Sequence, residues 1–183
     1  MIILLTGNIG SGKSLSAKIL CELFNLEEVT FSEPLKKFAI SLGFTYEQVY
    51  GTQEQKLQIN DFWNISGREF LQKFGTDVCR DVLPKIMPKM NMNNSQVWAR
   101  VMEKKIIEKG ELVISDGRFM DEVRLVKKYG GIVLRIARNM DKGGSEYKHK
   151  SEEVELPYDF LVDNNGTVED LRERLLSIFI KDK

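Results

Sequence analysis

The chain has 183 residues, of which 42% are hydrophobic and 30% are charged, a composition typical of a globular protein. Its 27 Lys and Arg balance 27 Asp and Glu, which argues against a protein that coats nucleic acid or an anionic membrane. Two cysteines and one histidine exclude a disulfide framework, a four-ligand zinc site and catalysis by paired histidines. No apolar stretch approaches a membrane span, so we expect one domain in the reducing cytoplasm.

Short apolar strands alternate with amphipathic helices in the first part of the chain. Residues 1–6 predict a buried strand, and apolar residues at helical spacing predict a helix over 13–24. A second strand is expected at 28–31, followed by a helix over 34–43. Residues 45–65 are polar and weakly periodic, which predicts only fragments of helix.

A long helix is predicted over 66–83, ended by the prolines that follow, Pro84 and Pro88. It carries an apolar stripe expected to be buried, formed by Phe70, Leu71, Phe74, Val78 and Val82. Beside it runs a second stripe with a small residue between polar ones, formed by Arg68, Gln72, Gly75 and Cys79. This second stripe is either a ligand-facing surface or a solvated face.

The rest of the chain continues the alternation. A helix capped by Ser95 and ended by Gly110 is expected, and its Trp98, like Trp63, is interpreted as a core residue. The remaining predictions are strands at 111–115, 132–137 and 160–162, and helices at 120–129 and 168–180. The alternation predicts an α/β three-layer sandwich around a parallel sheet of about five strands.

The strongest motif, Gly7-Asn8-Ile9-Gly10-Ser11-Gly12-Lys13-Ser14, fits the phosphate-loop pattern G-x-x-x-x-G-K-[ST]. Glycines let backbone N–H groups turn toward phosphates, and the following helix adds its positive end. The Lys13 ammonium is placed to reach the β- and γ-phosphates, and the Ser14 hydroxyl to ligate Mg²⁺. We therefore predict a nucleotide phosphate site from Asn8 to Leu15.

Further charged residues follow the later strands. Asp116 ends the strand at 111–115 and can hold Mg²⁺ through water, while Arg118 can place positive charge on a transferring phosphate. The simpler alternative is a helix-capping aspartate beside a surface arginine. Arg138 leads into the polar segment 138–155, which we expect to act as a flap, and is a better lid arginine than Arg135.

Five blocks together resemble the deoxynucleoside monophosphate kinases of bacteriophages and large DNA viruses, which have the P-loop kinase fold of adenylate kinase. The blocks are GNIGSGKS, FSEPLKKFA, SGREFLQKFGTD, SDGRFMDE, and HKSEEVEL followed by DNNGT. The resemblance covers nearly the whole chain and is weakest at 45–65. It departs from the family pattern at Asp121, where asparagine is typical, which bears on the preference for the acceptor base.

The resemblance implies transfer of the γ-phosphoryl group of ATP to a deoxynucleoside 5′-monophosphate with Mg²⁺, in one kinase domain. It implies a helical acceptor region at about 33–109 and a lid at about 138–155 that carries Arg138. The residues implied around the acceptor are Lys36, Arg68, Gln72, Asp77 and Trp98, and those near adenine are Asn165, Gly166 and Thr167. Similar enzymes are often dimers, so a homodimer is a further expectation.

Two alternatives remain at this point. Another small-molecule kinase, such as a dephospho-coenzyme A or phosphomevalonate kinase, would share the phosphate loop and the D-N-x-G turn, but not the block at 66–77. A nucleotide-dependent switch is the second alternative. Its guanine-reading N-K-x-D motif is absent from the sequence.

Overall fold

The computed structural model describes residues 1–90, 97–138 and 156–180. The strands in chain order are β1 (Ile2–Thr6), β2 (Glu27–Val29), β3 (Ile59–Asn60), β4 (Ile65–Ser66), β5 (Leu112–Ile114), β6 (Ile132–Ala137) and β7 (Phe160–Asp163). The α-helices are α1 (Lys13–Phe24), α2 (Glu33–Ser41), α3 (Tyr46–Tyr50), α4 (Gln53–Leu57), α5 (Gly67–Gln72), α6 (Leu83–Ile86), α7 (Val97–Lys109), α8 (Met120–Lys128) and α9 (Val168–Ile180). A π-helix, Lys73–Val82, joins α5 to α6, and a 3₁₀ turn, Pro88–Met90, follows α6.

The chain separates into two compact units, which are described in turn. The sheet unit comprises residues 1–30 and 102–183, and the helical unit comprises residues 31–101.

A parallel sheet of five strands, in the order β2-β5-β1-β6-β7, forms the sheet unit. The central strand β1 pairs with β5 on one side and with β6 on the other. All five residues of β1 are buried, as a strand covered on both faces requires. The predicted parallel sheet is therefore confirmed.

Helices cover this sheet because its strands are apolar on both faces. Ile3 and Leu5 of β1 pack with Leu20 of α1 and with Leu171 and Leu175 of α9 in one core cluster. Side chains alternate along a strand, so Leu4 faces the other way, and α8 packs against β1 and β6. The result is the three-layer α/β/α arrangement that the sequence predicted.

The helical unit has a smaller core built on aromatic side chains. Phe44 and Val49 are buried with Ala39, and the half-buried Phe70 packs against them. The ring centroids of Phe44 and Phe70 lie 4.9 Å apart. The antiparallel pair β3 and β4 lies in the region where the sequence predicted only helix fragments, so the sequence missed this hairpin.

The predicted single α-helix over 66–83 is wrong in its second half, because the chain winds as a π-helix from Lys73 to Val82. In a π-helix the hydrogen bonds join residues i and i+5, so each hydrogen-bonded ring encloses one more residue than in an α-helix. Residues that would share one side of an α-helix therefore point in different directions. Val78 and Val82, expected to be buried, are therefore 38% and 44% exposed. Gly75 and Cys79, from the neighbouring stripe, are buried instead.

The predicted stop at Pro84 is also wrong. Pro84 lies in the first turn of α6, a position where a missing N–H costs little, and the helix continues to Ile86. Pro88 does follow the end of that helix and begins the 3₁₀ turn. Ser95 and the predicted flap beyond Arg138, residues 139–155, lie outside the described residues.

Candidate functional site

The loop between β1 and α1 has a conformation that only glycine adopts without strain. Gly7, Gly10 and Gly12 have φ angles of +135°, +80° and +102°. A Cβ atom on Gly7 would lie 2.3 Å from the Ile136 carbonyl oxygen, and one on Gly12 would lie 2.1 Å from Asn164 Nδ2. Both the backbone angles and the lack of space therefore require glycine, as the phosphate-loop motif predicts.

Lys13 is the first residue of α1, and its ammonium group lies against the loop. Its Nζ donates hydrogen bonds to the carbonyl oxygens of Gly7, at 2.7 Å, and Asn8, at 2.8 Å. The first turn of α1 contains no acidic residue, so nothing there neutralises the positive end of the helix. Ser14, the next residue, is exposed. The loop thus combines a lysine ammonium group with the positive end of a helix, and its glycines let backbone N–H groups turn toward an anion.

Other predicted loop residues differ in exposure. Ile9 and Leu15 are 46% and 37% exposed, whereas Ser11 is buried. Within the described residues, Ser11 Oγ meets no hydrogen-bond partner. The Ser11 backbone is held, since its N–H donates to the Asn8 carbonyl oxygen at 3.2 Å.

The other candidate residues of the sheet unit follow the ends of parallel strands. Residues 115–118 come after β5, Arg138 after β6 and residues 164–167 after β7, while the phosphate loop comes after β1. Parallel strands bring their carboxyl ends to one edge, and β1 lies where the strand order reverses. Ligands bind at such a switch point in open α/β sheets, so topology gathers these residues at one edge.

The turn that carries Asp116 and Arg118 is anchored on both sides. The Gly117 N–H donates to the Leu5 carbonyl oxygen at 3.1 Å, next to the phosphate loop. The buried Glu122 carboxylate accepts from the N–H groups of Arg118, at 2.7 Å, and Phe119, at 3.0 Å. This fixes the backbone while Arg118 stays exposed and Asp116 half-buried. Sequence reasoning did not assign this role to Glu122, although an acid three residues after a helix start signals it.

A bound Mg²⁺ would find hard oxygen donors at this edge, in the Ser14 hydroxyl and the Asp116 carboxylate. No group of three or more His, Cys, Asp or Glu side chains in the described part of the chain could hold a metal ion. Mg²⁺ is usually held by one or two carboxylates together with substrate phosphates, not by a complete protein cage. The small donor set therefore fits Mg²⁺ that arrives with a nucleotide.

The turn after β7 contacts the phosphate loop through Asn164, a residue that the sequence did not single out. Its Nδ2 donates to the Ser11 carbonyl oxygen at 2.8 Å, and its backbone N–H donates to the Ala137 carbonyl oxygen at 2.7 Å. The sequence feature that could have identified Asn164 is its position in the Asn164-Asn165-Gly166 turn, from which only Asn165 and Gly166 were predicted to be site residues.

The predicted adenine-side residues, Asn165, Gly166 and Thr167, are exposed and lead directly into α9. Thr167 Oγ1 accepts from the Asp170 N–H at 3.1 Å, and the Thr167 N–H donates to Asp170 Oδ2 at 2.8 Å. These two bonds form a capping box. The Thr167 N–H and hydroxyl hold the pKa of Asp170 below its usual value. Thr167 therefore has a structural role whatever it binds.

The five predicted acceptor residues all lie in the helical unit. Arg68, in the first turn of α5, is half-buried and its Nη1 donates to Gln53 Oε1 at 2.5 Å. The preceding Gly67 is packed so closely that a Cβ would lie 2.0 Å from the Gln48 carbonyl oxygen. Arg68 is thus positioned by α3 and α4, in the stretch whose role the sequence left open.

Lys36 lies on α2 with its Nζ 5.3 Å from the centre of the Tyr50 ring. The Tyr50 hydroxyl donates to Glu33 Oε1 at 3.2 Å. A cation near the face of an aromatic ring is attracted to its π electrons, so Tyr50 restrains the Lys36 side chain.

Trp98, at the start of α7, donates from its indole Nε1 to the Gly75 carbonyl oxygen at 2.9 Å. Gly75 lies in the π-helix, as does the exposed Asp77, and the half-buried Gln72 directly precedes it. Trp63, interpreted from sequence as a core residue, is 46% exposed, so that interpretation is wrong. Burial raises the pKa of the Cys79 thiol, which disfavours the thiolate that a nucleophile would need.

Comparison with known proteins gives matches over most of the chain. A family model described as deoxynucleotide monophosphate kinase matches residues 41–175. A protein of Acanthamoeba polyphaga mimivirus, provisionally named a deoxynucleotide monophosphate kinase, is 37% identical over 188 aligned residues. That alignment covers 97% of this chain and 95% of the viral protein.

Solved structures share the fold at low sequence identity. Shikimate kinase from Aquifex aeolicus has a TM-score of 0.53 and 16% identity, over 98% of this chain and 96% of that one. TT1252 from Thermus thermophilus has a TM-score of 0.52 and 17% identity, over 100% and 98% of the two chains. The likeness to shikimate kinase confirms the predicted kinase fold. Among the described residues, no helix is both long and apolar enough to span a membrane.

Proposed function

The chain belongs to the deoxynucleotide monophosphate kinase family, and on that premise we propose that it transfers the γ-phosphoryl group of ATP to deoxynucleoside 5′-monophosphates. An oxygen of the acceptor 5′-phosphate forms the new bond to the γ-phosphorus. The bond from the γ-phosphorus to the bridging oxygen of the β-phosphate breaks. The products are ADP and a deoxynucleoside diphosphate.

The observation that carries the proposal is the phosphate loop, whose glycine angles and Lys13 contacts form an anion cradle at the switch point of the sheet. Backbone N–H groups from Asn8 to Leu15 would hold the ATP phosphates, with Lys13 at the β- and γ-phosphates. Arg118 and Arg138 would neutralise charge on the transferring group. The Asp116 carboxylate would take part through Mg²⁺.

No strong general base is required, because the acceptor phosphate is already an anion near neutral pH. Catalysis then consists of aligning two phosphates and neutralising the charge between them. When bound with the nucleotide through Ser14 and Asp116, Mg²⁺ would supply additional positive charge to the phosphate oxygens.

The helical unit would hold the acceptor nucleotide. The planar guanidinium of Arg68, already oriented by Gln53, suits bidentate contact with a phosphate. Lys36 would add a second positive charge, and Gln72, Asp77 and Trp98 would contact the sugar or base. At the ATP site, the residues near adenine would be Asn165, Gly166 and Thr167.

We place the enzyme in the cytoplasm, that of the host cell if a virus encodes it. Its partners would be ATP and the monophosphate, with neither nucleic acid nor membrane required. A homodimer remains an expectation from similar enzymes, and light scattering during size-exclusion chromatography measures it directly.

A coupled assay of ADP release tests the proposed reaction. The purified chain is given ATP, Mg²⁺ and, in turn, each deoxynucleoside monophosphate, the matching ribonucleotides, dephospho-coenzyme A and phosphomevalonate. We expect turnover with at least one deoxynucleoside monophosphate. Turnover restricted to dephospho-coenzyme A or phosphomevalonate would replace the proposal with the rival kinase. In a parallel assay of phosphate release with GTP and no acceptor, hydrolysis would favour a nucleotide switch.

A further inference from the structure

We infer that Asn164 is a positioning residue for the triphosphate, because its side-chain amide holds the Ser11–Gly12 peptide of the phosphate loop in its anion-binding orientation. The inference rests on the proposed function, since it assumes that this loop binds the phosphates of ATP. It concerns a residue of the C-terminal turn that lies 153 positions from Ser11 along the chain.

The contact has the properties of a fixed structural bond. Asn164 is 7% exposed, and its Nδ2 donates to the Ser11 carbonyl oxygen at 2.8 Å in a buried setting. Its backbone is held as well, through the 2.7 Å bond to the Ala137 carbonyl oxygen at the end of β6. The side-chain amide therefore contacts the loop from a backbone position that is hydrogen-bonded to the sheet.

Because the peptide bond is planar, this contact also sets the direction of the Gly12 N–H, which can donate a hydrogen bond to a phosphate. In a trans peptide, the carbonyl oxygen and the following N–H point in opposite directions. When Asn164 holds the Ser11 carbonyl oxygen, the Gly12 N–H must point away from Asn164. An unheld peptide could rotate and present its carbonyl oxygen to the phosphates, which would repel them.

The absence of a side chain on Gly12 completes the arrangement. An added Cβ would lie 2.1 Å from Asn164 Nδ2, so the asparagine occupies the space that any other residue would need. Gly12 is required both for its φ of +102° and for the approach of this amide. The absence of a side chain on Gly12 therefore makes room for the Asn164 amide from the turn after β7.

The turn that carries Asn164 is braced on its far side. Arg174 of α9 donates from Nη1 to the Asp163 carbonyl oxygen at 2.5 Å and also pairs with the Asp163 carboxylate. The capping box of Thr167 and Asp170 closes the start of the same helix. Asn164 therefore connects the phosphate loop to a rigid turn.

Two substitutions and a phosphate-only probe test the inference. Asn164→Ala removes the donor, and Asn164→Asp preserves the shape but replaces the donor with an anion facing a carbonyl oxygen. Calorimetry should show the Kd for ADP, and that for inorganic tripolyphosphate, raised about tenfold in the alanine variant and further in the aspartate variant. The KM for ATP should rise in parallel, while the KM for the deoxynucleoside monophosphate stays unchanged.

Asn60→Ala is the matched control, because Asn60 is also a buried asparagine that donates to a backbone carbonyl oxygen, that of Gly43 at 3.2 Å. It lies in the helical unit and should lower the melting temperature without changing the Kd for ADP. Circular dichroism establishes that each variant is folded, and the nearly isosteric aspartate variant serves if the alanine variant does not fold.

The outcomes separate the inference from the proposed function. Wild-type affinity for both ADP and tripolyphosphate in a folded Asn164→Asp variant would overturn the inference, as would a loss for ADP alone, which indicates an effect on adenine. A wild-type protein that binds neither ligand overturns both proposals. A third outcome is that the wild-type protein binds ADP and tripolyphosphate but phosphorylates no monophosphate, while the Asn164 variants lose this binding. That outcome supports the inference and overturns the proposed function.

Discussion

The sheet unit and the helical unit position their candidate site residues by different physical means. In the sheet unit these residues follow β1, β5, β6 and β7, so the strand order alone brings them to one edge. In the helical unit the candidates lie on α2, on α5 and the π-helix, and at the start of α7, where only tertiary contacts determine which way a side chain points.

The contacts in the helical unit show this dependence. Arg68 is oriented by Gln53, Lys36 by the Tyr50 ring, and Trp98 by a carbonyl oxygen of the π-helix. Under the proposed function, we expect the sheet unit to bind ATP and neutralise charge, and the helical unit to recognise the acceptor. The following predictions test that division.

The largest expected effect is on kcat, from Lys13→Ala. Loss of a positioned positive charge at the transferring phosphate should lower kcat by about 10²–10³-fold, by analogy with removal of one oxyanion donor. The coupled ADP-release assay measures it. Lys18→Ala, an exposed lysine on the same helix, is the control and should leave kcat unchanged. A near-normal kcat for Lys13→Ala would show that the loop does not contribute to the chemistry.

A smaller and more selective effect is expected from Arg68→Ala. A charge-assisted bond to the acceptor phosphate should be lost, which raises the KM for the monophosphate about tenfold or more and leaves the KM for ATP unchanged. Steady-state kinetics with each substrate varied in turn measures both constants. The control is Lys73→Ala, since Lys73 is exposed and paired with Glu69 at 2.7 Å. Equal changes in both KM values would contradict a separate acceptor site in the helical unit.

Trp98→Phe tests the helical unit through its stability. The substitution leaves the carbonyl oxygen of the buried Gly75 without its indole donor, and should lower the free energy of unfolding by about 1–2 kcal/mol. Urea unfolding followed by circular dichroism measures this. Trp63→Phe is the matched control, because its indole bond to the Leu42 carbonyl oxygen is exposed and water can replace it. If both variants lose the same stability, the Trp98 contact has no special role in the π-helix.

The smallest expected effect concerns how the stability of the sheet unit depends on pH. The folded-state pKa of Asp170 lies below its unfolded value, because the Thr167 N–H donates to the Asp170 carboxylate and the Thr167 side chain adds a smaller lowering effect. Its contribution to stability is therefore present above the unfolded pKa and is lost as the pH falls through the folded pKa, below about pH 4. An NMR titration should place the pKa of Asp170 below the usual value for an aspartate side chain. An unshifted Asp170 pKa would contradict the capping geometry.

The order and type of the elements in the sheet unit could be predicted from sequence. The predicted bounds of α1, β6 and α9 match those of the structure, because short apolar runs and regular amphipathic spacing have few alternative folds. The glycines of the phosphate loop were also predicted with their physical reason. What the sequence could not show was the Asn164 contact, which joins residues far apart in the chain.

The helical unit was predicted less well because its structure depends on non-local contacts. A π-helix leaves no distinct periodic pattern, so Val78 and Val82 were assigned to the wrong face. The hairpin of β3 and β4 has strands of two residues, too short for alternation to indicate them. The acceptor residues came from family resemblance, and their roles stay predictions.

The π-helix between Gln72 and Leu83 also affects how relatives of this chain should be aligned. Because each π turn holds an extra residue, a relative with an ordinary α-helix there would present the same faces with fewer residues. An alignment without a gap in this segment would pair residues from different sides of the helix, including Asp77. An alignment with such a relative would therefore need its gap between Lys73 and Val82, inside the segment that carries the acceptor-site candidates.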